Sequence, residues 1–189
     1  VPIFPGVETK WAHAAQHAAS SAFATVRVGR NDNRLTRFSS DRQLPFGANM
    51  AFRKAQLLGL SYNISLGRQP GPVFLGGEES DLFRRLLNNG HCGYLIAHNP
   101  VQHWIEIDRQ TDEYIKHFYA GQGFQIGQRE SQLSGFERYR KRILTNVLQT
   151  IFFILDSLPK KALPVEWSLW IIRQNSHFNA RRYLIKKTK

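Results

Sequence analysis

Cysteine is nearly absent from this chain of 189 residues. Cys92 stands alone, so no internal disulfide framework is possible, and such usage fits a reducing compartment. The short motifs that announce common chemistries are missing too. No P-loop, GxGxxG, paired CxxC, GxSxG elbow or C2H2 spacing occurs, which removes motif support from NTPases, Rossmann oxidoreductases, α/β-hydrolases and zinc fingers. No apolar run is long enough to cross a bilayer, because the longest, ILTNVLQTIFFIL, is interrupted by Thr145, Asn146, Gln149 and Thr150. There is no internal repeat and no low-complexity tract. No methionine or signal-like apolar segment opens the chain at Val1, which reads as a processed or truncated chain or a piece of something longer.

Acidic residues are the scarcer sign of charge. Fourteen Asp and Glu stand against 26 Lys and Arg, a net charge of +12, which asks for an anionic partner such as nucleic acid, a lipid headgroup surface or a polyanionic small molecule. The acids concentrate between Glu78 and Glu137, whereas RYRKR from Arg138 and RRYLIKKTK from Arg181 hold much of the excess positive charge. This asymmetry points to a catalytic or metal-binding middle and a basic C-terminal flank. With 42% hydrophobic and 12% aromatic residues, the chain has the composition of a globular protein, and one domain is the default.

The pattern predicts a helix from about Thr9, with His13 and His17 on one face, followed by a strand over Phe23–Val28. Without further ligands at suitable spacing, packing or surface placement outweighs zinc for the two histidines. GRNDNRLTRFSSDRQLP reads as a long loop. A short strand over Ala48–Phe52 and a helical turn over Lys54–Leu58 ended by Gly59 are expected next. Ser80–Asn89 is predicted helical, with Leu82, Leu86, Phe83 and Leu87 as its apolar stripe. Strands are expected over Cys92–Ala97 and Val101–Ile105, then a helix from Thr111 to about Ala120 that GQGFQIG breaks. A long one-sided helix should run over Phe136–Leu158.

Three groups of residues suit chemistry. In GGEESDLFRRLLNNG, the acids Glu78, Glu79 and Asp81 follow a double glycine at a helix entrance, where carboxylates offset unpaired N–H groups and where one could instead serve as a base. In NPVQHWIEIDR, His103 could ligate a divalent ion, donate to a phosphate, or sit satisfied in the core. Arg109 could grip a phosphate bidentately or pair with Asp108 or Asp112. In GANMAFR, Asn49 offers a donor and an acceptor and Arg53 a positive charge, suiting the rim of a ligand site or any strand-to-helix corner.

Taken in order, PFGANMAFRKAQLLGL, LGRQPGPVFLGGEESDLFRRLLNNGHCGYLIAHNPVQHW and DRQTDEYIKHFYAGQG resemble the second half of a family 2 glycosyltransferase catalytic domain. The resemblance covers roughly residues 44–127 closely, 1–43 loosely and 128–189 in general character. It implies an α/β, GT-A-like fold, a mostly parallel sheet flanked by helices, here partial and lacking the N-terminal nucleotide-binding units, with a C-terminal helical region. It implies inverting transfer of a sugar from a nucleotide-sugar to a hydroxyl of a glycan, polysaccharide or lipid-linked acceptor. Glu79 falls on the general base, where the family carries aspartate, and Glu78 and Asp81 on its acidic neighbours. His103 falls on a metal or diphosphate contact for Mg²⁺ or Mn²⁺, and Asn49, Arg53 and Arg109 on the donor–acceptor site. NDN at 31–33 lacks the apolar strand that flanks the family's metal-binding Asp-x-Asp, so a missing N-terminal half or a partner chain is implied.

The division expected is residues 1–130 as the C-terminal part of the transferase domain and 131–189 as a basic amphipathic helical extension. That extension either touches an anionic membrane surface or packs as a plain helical hairpin. The expected location is cytoplasmic, peripheral at the inner face of the cell membrane. Two other readings stand beside the transferase: a non-catalytic basic module binding anionic lipid or a partner protein, and a degenerate transferase subunit. Nucleic acid is disfavoured, since Tyr139 and Tyr183 interleave little aromatic surface with the basic residues.

Overall fold

Glycine decides where the helices meet. The computed structural model describes residues 2–25, 35–38, 44–64, 66–67, 76–96, 101–159 and 163–187. Within it, helix α3 runs from Asp112 to Ser131, straight through GQGFQIG, and buries Gly121, Gly123 and Gly127. Isolated glycines weaken a helix by about 1 kcal/mol each, which is why the sequence predicts a break there. The compensation is tertiary. A Cβ at Gly123 would stand 2.0 Å from the carbonyl oxygen of His177, on helix α5 (Val165–Lys187). Any side chain at that position would push the two backbones apart.

Helix α5 packs against α3, against α4 (Gly135–Asp156) and against α1 (Thr9–Ala18). Contact on several sides explains why its sequence carries no single apolar face. From α1 and the turn after it come Ala14, Ala15, Ala18, Ala19, Ala22 and Phe23, which meet Ile105, Ile115, Tyr119, Leu169 and Ile172 in the core. The small alanines allow close approach, and Phe23 supplies the bulk, with Phe4 and Trp11 edge-on to it at 5.0 and 6.1 Å between ring centres. Among the described residues, Glu130 gathers positive charge inside this helical assembly, with Lys141 Nζ 3.8 Å from its Oε1 and Arg181 closer still. Arg181 donates to Glu130 from Nε at 2.7 Å and from Nη2 at 2.5 Å, and both side chains are only 10% exposed.

Strands are few. Pro2–Ile3 (β1) pairs in parallel with His103–Trp104 (β4), and Leu35–Phe38 (β2) pairs antiparallel with Gly93–Ile96 (β3), Leu35 opposite Ile96. Neither sheet exceeds two strands among the described residues. The resemblance to a family 2 glycosyltransferase and the α/β, GT-A-like fold are therefore overturned: this chain is predominantly helical, with no extended parallel sheet among the described residues. Local reasons are visible. Ala48–Phe52 forms no strand, and at its start the Asn49 N–H closes a turn onto the Phe46 carbonyl. The expected strand over Val101–Ile105 shrinks to two residues and runs into a 3-10 turn at Ile107–Arg109. Phe23 ends a 3-10 turn that begins at Ser20, closed by Ala24 at φ 51°, while residues 26–28 lie outside the described residues. Apolar residues assigned to strands by alternation, Phe23 and Ile105 among them, are buried against helices instead.

Helix α2 spans Glu78–Asn88 and starts two residues before Ser80, because Gly77 at φ +92° turns the chain directly into it. Its stripe of Leu82, Phe83 and Leu86 is buried. Lys54–Leu57 forms one 3-10 turn. His13 and His17 share an exposed face, their Nε2 atoms 3.2 Å apart.

The glycine contact predicts that Gly123→Ala destabilises the fold by about 1–3 kcal/mol in urea denaturation. Gly135→Ala, with nothing within 4 Å of a new Cβ, should be neutral or stabilising by up to about 1 kcal/mol. For the buried pair, Glu130→Gln should lose about 3 kcal/mol by stranding the Arg181 charge, and Glu130→Leu/Arg181→Met should lose less. A pH dependence follows from His177. Burial, helped by the charges of Arg181 and Arg173 and opposed by Glu130, lowers its pKa from 6.5 to about 4. Between those values the unfolded chain takes up a proton that the folded chain refuses. Stability is therefore intact above about pH 6.5 and falls by about 3 kcal/mol as pH drops to about 4. Denaturation curves of His177→Gln should lack that decline.

Candidate functional site

Helix α3 organises a cavity along one of its faces. Tyr114, Phe118, Gln122, Gln125 and Arg129 recur at helical spacing and all line an opening of about 450 Å³. Opposite them stands the entrance of α2, with Glu78, Glu79, Ser80 and Arg84. The turn Pro45–Ala48, the 3-10 turn carrying Ser21 and Ala22, and His103 and Arg109 complete the wall.

The acidic entrance is fixed from two sides. Gln125 donates from Nε2 to the carbonyl of Gly76, so α3 holds the turn that launches α2. Gly47 leaves room for a carboxylate: a Cβ there would lie 2.0 Å from Glu79 Oε1. Glu78 Oε2 is shut off from solvent and has no hydrogen-bond partner among the described residues, an acceptor without a donor in a wall that faces a cavity. Burying such a group has a cost.

His103 is oriented by its Nδ1, 3.3 Å from the Phe23 carbonyl oxygen. A carbonyl only accepts, so Nδ1 donates in this contact, and Nε2 is the ring nitrogen left for another partner. Arg109 lies 3.1 Å from Glu106 rather than beside Asp108 or Asp112, and it is the less exposed partner of that pair. With Arg84 and Arg129, three guanidinium groups line the same space as two carboxylates and one imidazole. Chemically, the wall can accept hydrogen bonds from hydroxyls and donate them to an anion.

The residues singled out by sequence divide between places. Glu78, Glu79, His103 and Arg109 meet at the α3 cavity. Asn49 instead lines a second opening of about 340 Å³ with Met50, Phe52, Phe83 and Leu86. Arg53 is exposed ahead of the Lys54–Leu57 turn. Asp81 accepts from Arg85 Nε at 2.9 Å, and Arg85 also donates to the Ser61 carbonyl at 2.5 Å. Arg84, Tyr114, Gln122, Gln125 and Arg129 escape the sequence reading. The 4-4-3-4 spacing that joins the four α3 positions to Tyr114 is in the sequence, but ending the helix at Ala120 hides it.

This geometry overturns the inverting glycosyltransferase activity, and with it the assignment as an enzyme of that class, its nucleotide-sugar and glycan or lipid-linked acceptor partners and the implied missing half of that domain. No sheet that would seat a nucleotide-sugar is present among the described residues. Nor, among those residues, does any group of three or more His, Cys, Asp and Glu stand ready to hold a metal ion. Set beside known protein families, curated proteins and solved structures, the chain matches no family, no curated protein and no solved structure.

The link between α3 and α2 yields a prediction. Gln125→Ala should destabilise the protein by about 1 kcal/mol and raise hydrogen exchange selectively at the first-turn amides of α2. Unchanged exchange there would show that α2 is positioned by other contacts.

Proposed function

We propose that this domain is a small-molecule-binding module whose ligand is a compact anion that also carries hydroxyl groups, of the class of hydroxy acids and phosphorylated polyols. The observation that carries this reading is the convergence of Glu78, Glu79, Arg84, His103, Arg109 and Arg129, from separate segments, on one cavity of about 450 Å³. That volume lies within the range of small-molecule sites. The guanidinium groups suit the anionic end, and their planar forks favour carboxylate or phosphate over a simple halide. Glu79, Glu78 and Nε2 of His103 suit the hydroxyls. The net charge of +12 raises the local concentration of anions at the surface.

Calorimetric titration with citrate, glycerol 3-phosphate and inorganic phosphate tests the reading. Arg129→Gln should weaken all three, by about tenfold or more, since a charge-assisted hydrogen bond contributes about 1.5–3 kcal/mol. Glu79→Gln should weaken glycerol 3-phosphate while leaving inorganic phosphate unchanged. Gly47→Ala should imitate Glu79→Gln, because the added methyl must displace the carboxylate. Failure of all three probes to bind, or equal losses for every probe in Glu79→Gln, would contradict the reading. Repeating the titration with Mg²⁺ or Mn²⁺ and then in EDTA decides whether a divalent cation accompanies the anion. A cation that belongs to the site raises the affinity for glycerol 3-phosphate, and equal affinities remove it.

A further inference from the structure

Helix α4 is built inside out. The side chains it turns toward the protein include Thr145 and Gln149, both buried, with Phe152. Gln149 Oε1 accepts from Arg182 Nη1, and Asp156 Oδ2 accepts from Asn175 Nδ2 at 2.8 Å. These bonds to α5 fix the rotation of α4 about its own axis. The opposite face carries Phe136, Ile143, Leu144, Val147, Ile151 and Ile154, each between 45% and 72% exposed. At 100° per residue these six fall within an arc of about 100° along a helix about 33 Å long, with Arg140 inside the same arc. A helix of a soluble domain ordinarily buries such a stripe and exposes its Thr and Gln.

Charge indicates what would cover it. Arg140, Lys141 and Arg142 are exposed, Lys141 with its Nζ 3.8 Å from Glu130 of α3, and from Arg138 to Leu155 there is no Asp or Glu. Glu137 is exposed at the N-terminal end of this face. A second copy laid antiparallel would bring the basic residues against a stretch with no acid to receive them, and one laid parallel would set them against their own counterparts. An anionic surface meets both features at once. Apolar residues on one side, Lys and Arg beside them and a low net hydrophobicity define helices that lie in the plane of a lipid interface. Trp167, 60% exposed in the first turn of α5, is a residue type favoured at that depth. No helix among the described residues is long and apolar enough to cross a membrane.

We propose that the outer face of α4 seats on the surface of a bilayer containing anionic lipid, with the apolar stripe entering the headgroup boundary and Arg140 and Arg142 meeting the phosphates. This proposal is independent of the ligand assigned to the α3 cavity.

Co-sedimentation of the full chain with vesicles of phosphatidylcholine alone, and of phosphatidylcholine with phosphatidylglycerol, provides the test. Binding is expected to the anionic vesicles, to fall at high salt, and to be weak on phosphatidylcholine alone. Val147→Ser/Ile154→Ser should bind the anionic vesicles about tenfold more weakly with an unchanged melting temperature, since both side chains are exposed. Arg140→Glu/Arg142→Glu should abolish the preference for anionic lipid. Undiminished binding by Val147→Ser/Ile154→Ser would overturn the proposal, since charge alone would then be responsible. Equal affinity for soluble polyglutamate would overturn it in favour of an acidic protein. A dimer in light scattering that Val147→Ser/Ile154→Ser dissolves would overturn it in favour of a second copy.

Discussion

The structure depends on the contact in which the backbone of α5 lies against Gly123 of α3. With a Cβ at Gly123 only 2.0 Å from the His177 carbonyl oxygen, no other residue fits there without moving a helix. The close approach brings Arg181 within reach of Glu130, and the bidentate pair at the end of α3 then fixes the helices along their length. An ion pair this buried contributes little net stability. Its consequence is registry, since sliding α5 by one turn would leave the Arg181 charge buried without its partner.

From that registry the cavity follows. Holding α3 against α5 leaves another face of α3 turned toward the entrance of α2, and Gln125 fastens that entrance through the Gly76 carbonyl. The acids of α2 and the guanidinium of Arg129 are therefore placed by the same helix. The bonds from α5 to Gln149 and Asp156 turn the polar side of α4 inward and leave the apolar side outside. One helical element thus relates a polar cavity to an exposed apolar face.

Much of the helical part was legible in the residues. The stripe of Leu82, Phe83 and Leu86 and the one-sided run after Phe136 lie on helices of nearly the expected bounds. Glu78, Glu79, His103 and Arg109 stood out as ionisable groups near turns and share one cavity. What was not legible depended on partners distant in sequence. Nothing local to GQGFQIG reveals that α5 will lie on its glycines, so local propensity ends the helix at Ala120 and conceals Gln122, Gln125 and Arg129. Alternation around Phe23 and Val101–Ile105 reads as sheet, yet period-two runs this short are decided by what they pack against. Here the neighbours are helices. An ordered set of motifs resembling a transferase did not carry its fold, because each motif was a turn, a helix entrance or a helix face that other architectures also use.

The central claim is that one face of α3 and the entrance of α2 form a single binding site. Amide chemical-shift mapping during a glycerol 3-phosphate titration tests it most directly. The account predicts saturable shifts confined to Gly47, Gly76–Arg84, His103, Arg109 and the Gln122–Arg129 segment. Shifts centred on Asn49 and Arg53, or scattered over α4 without saturation, would contradict it.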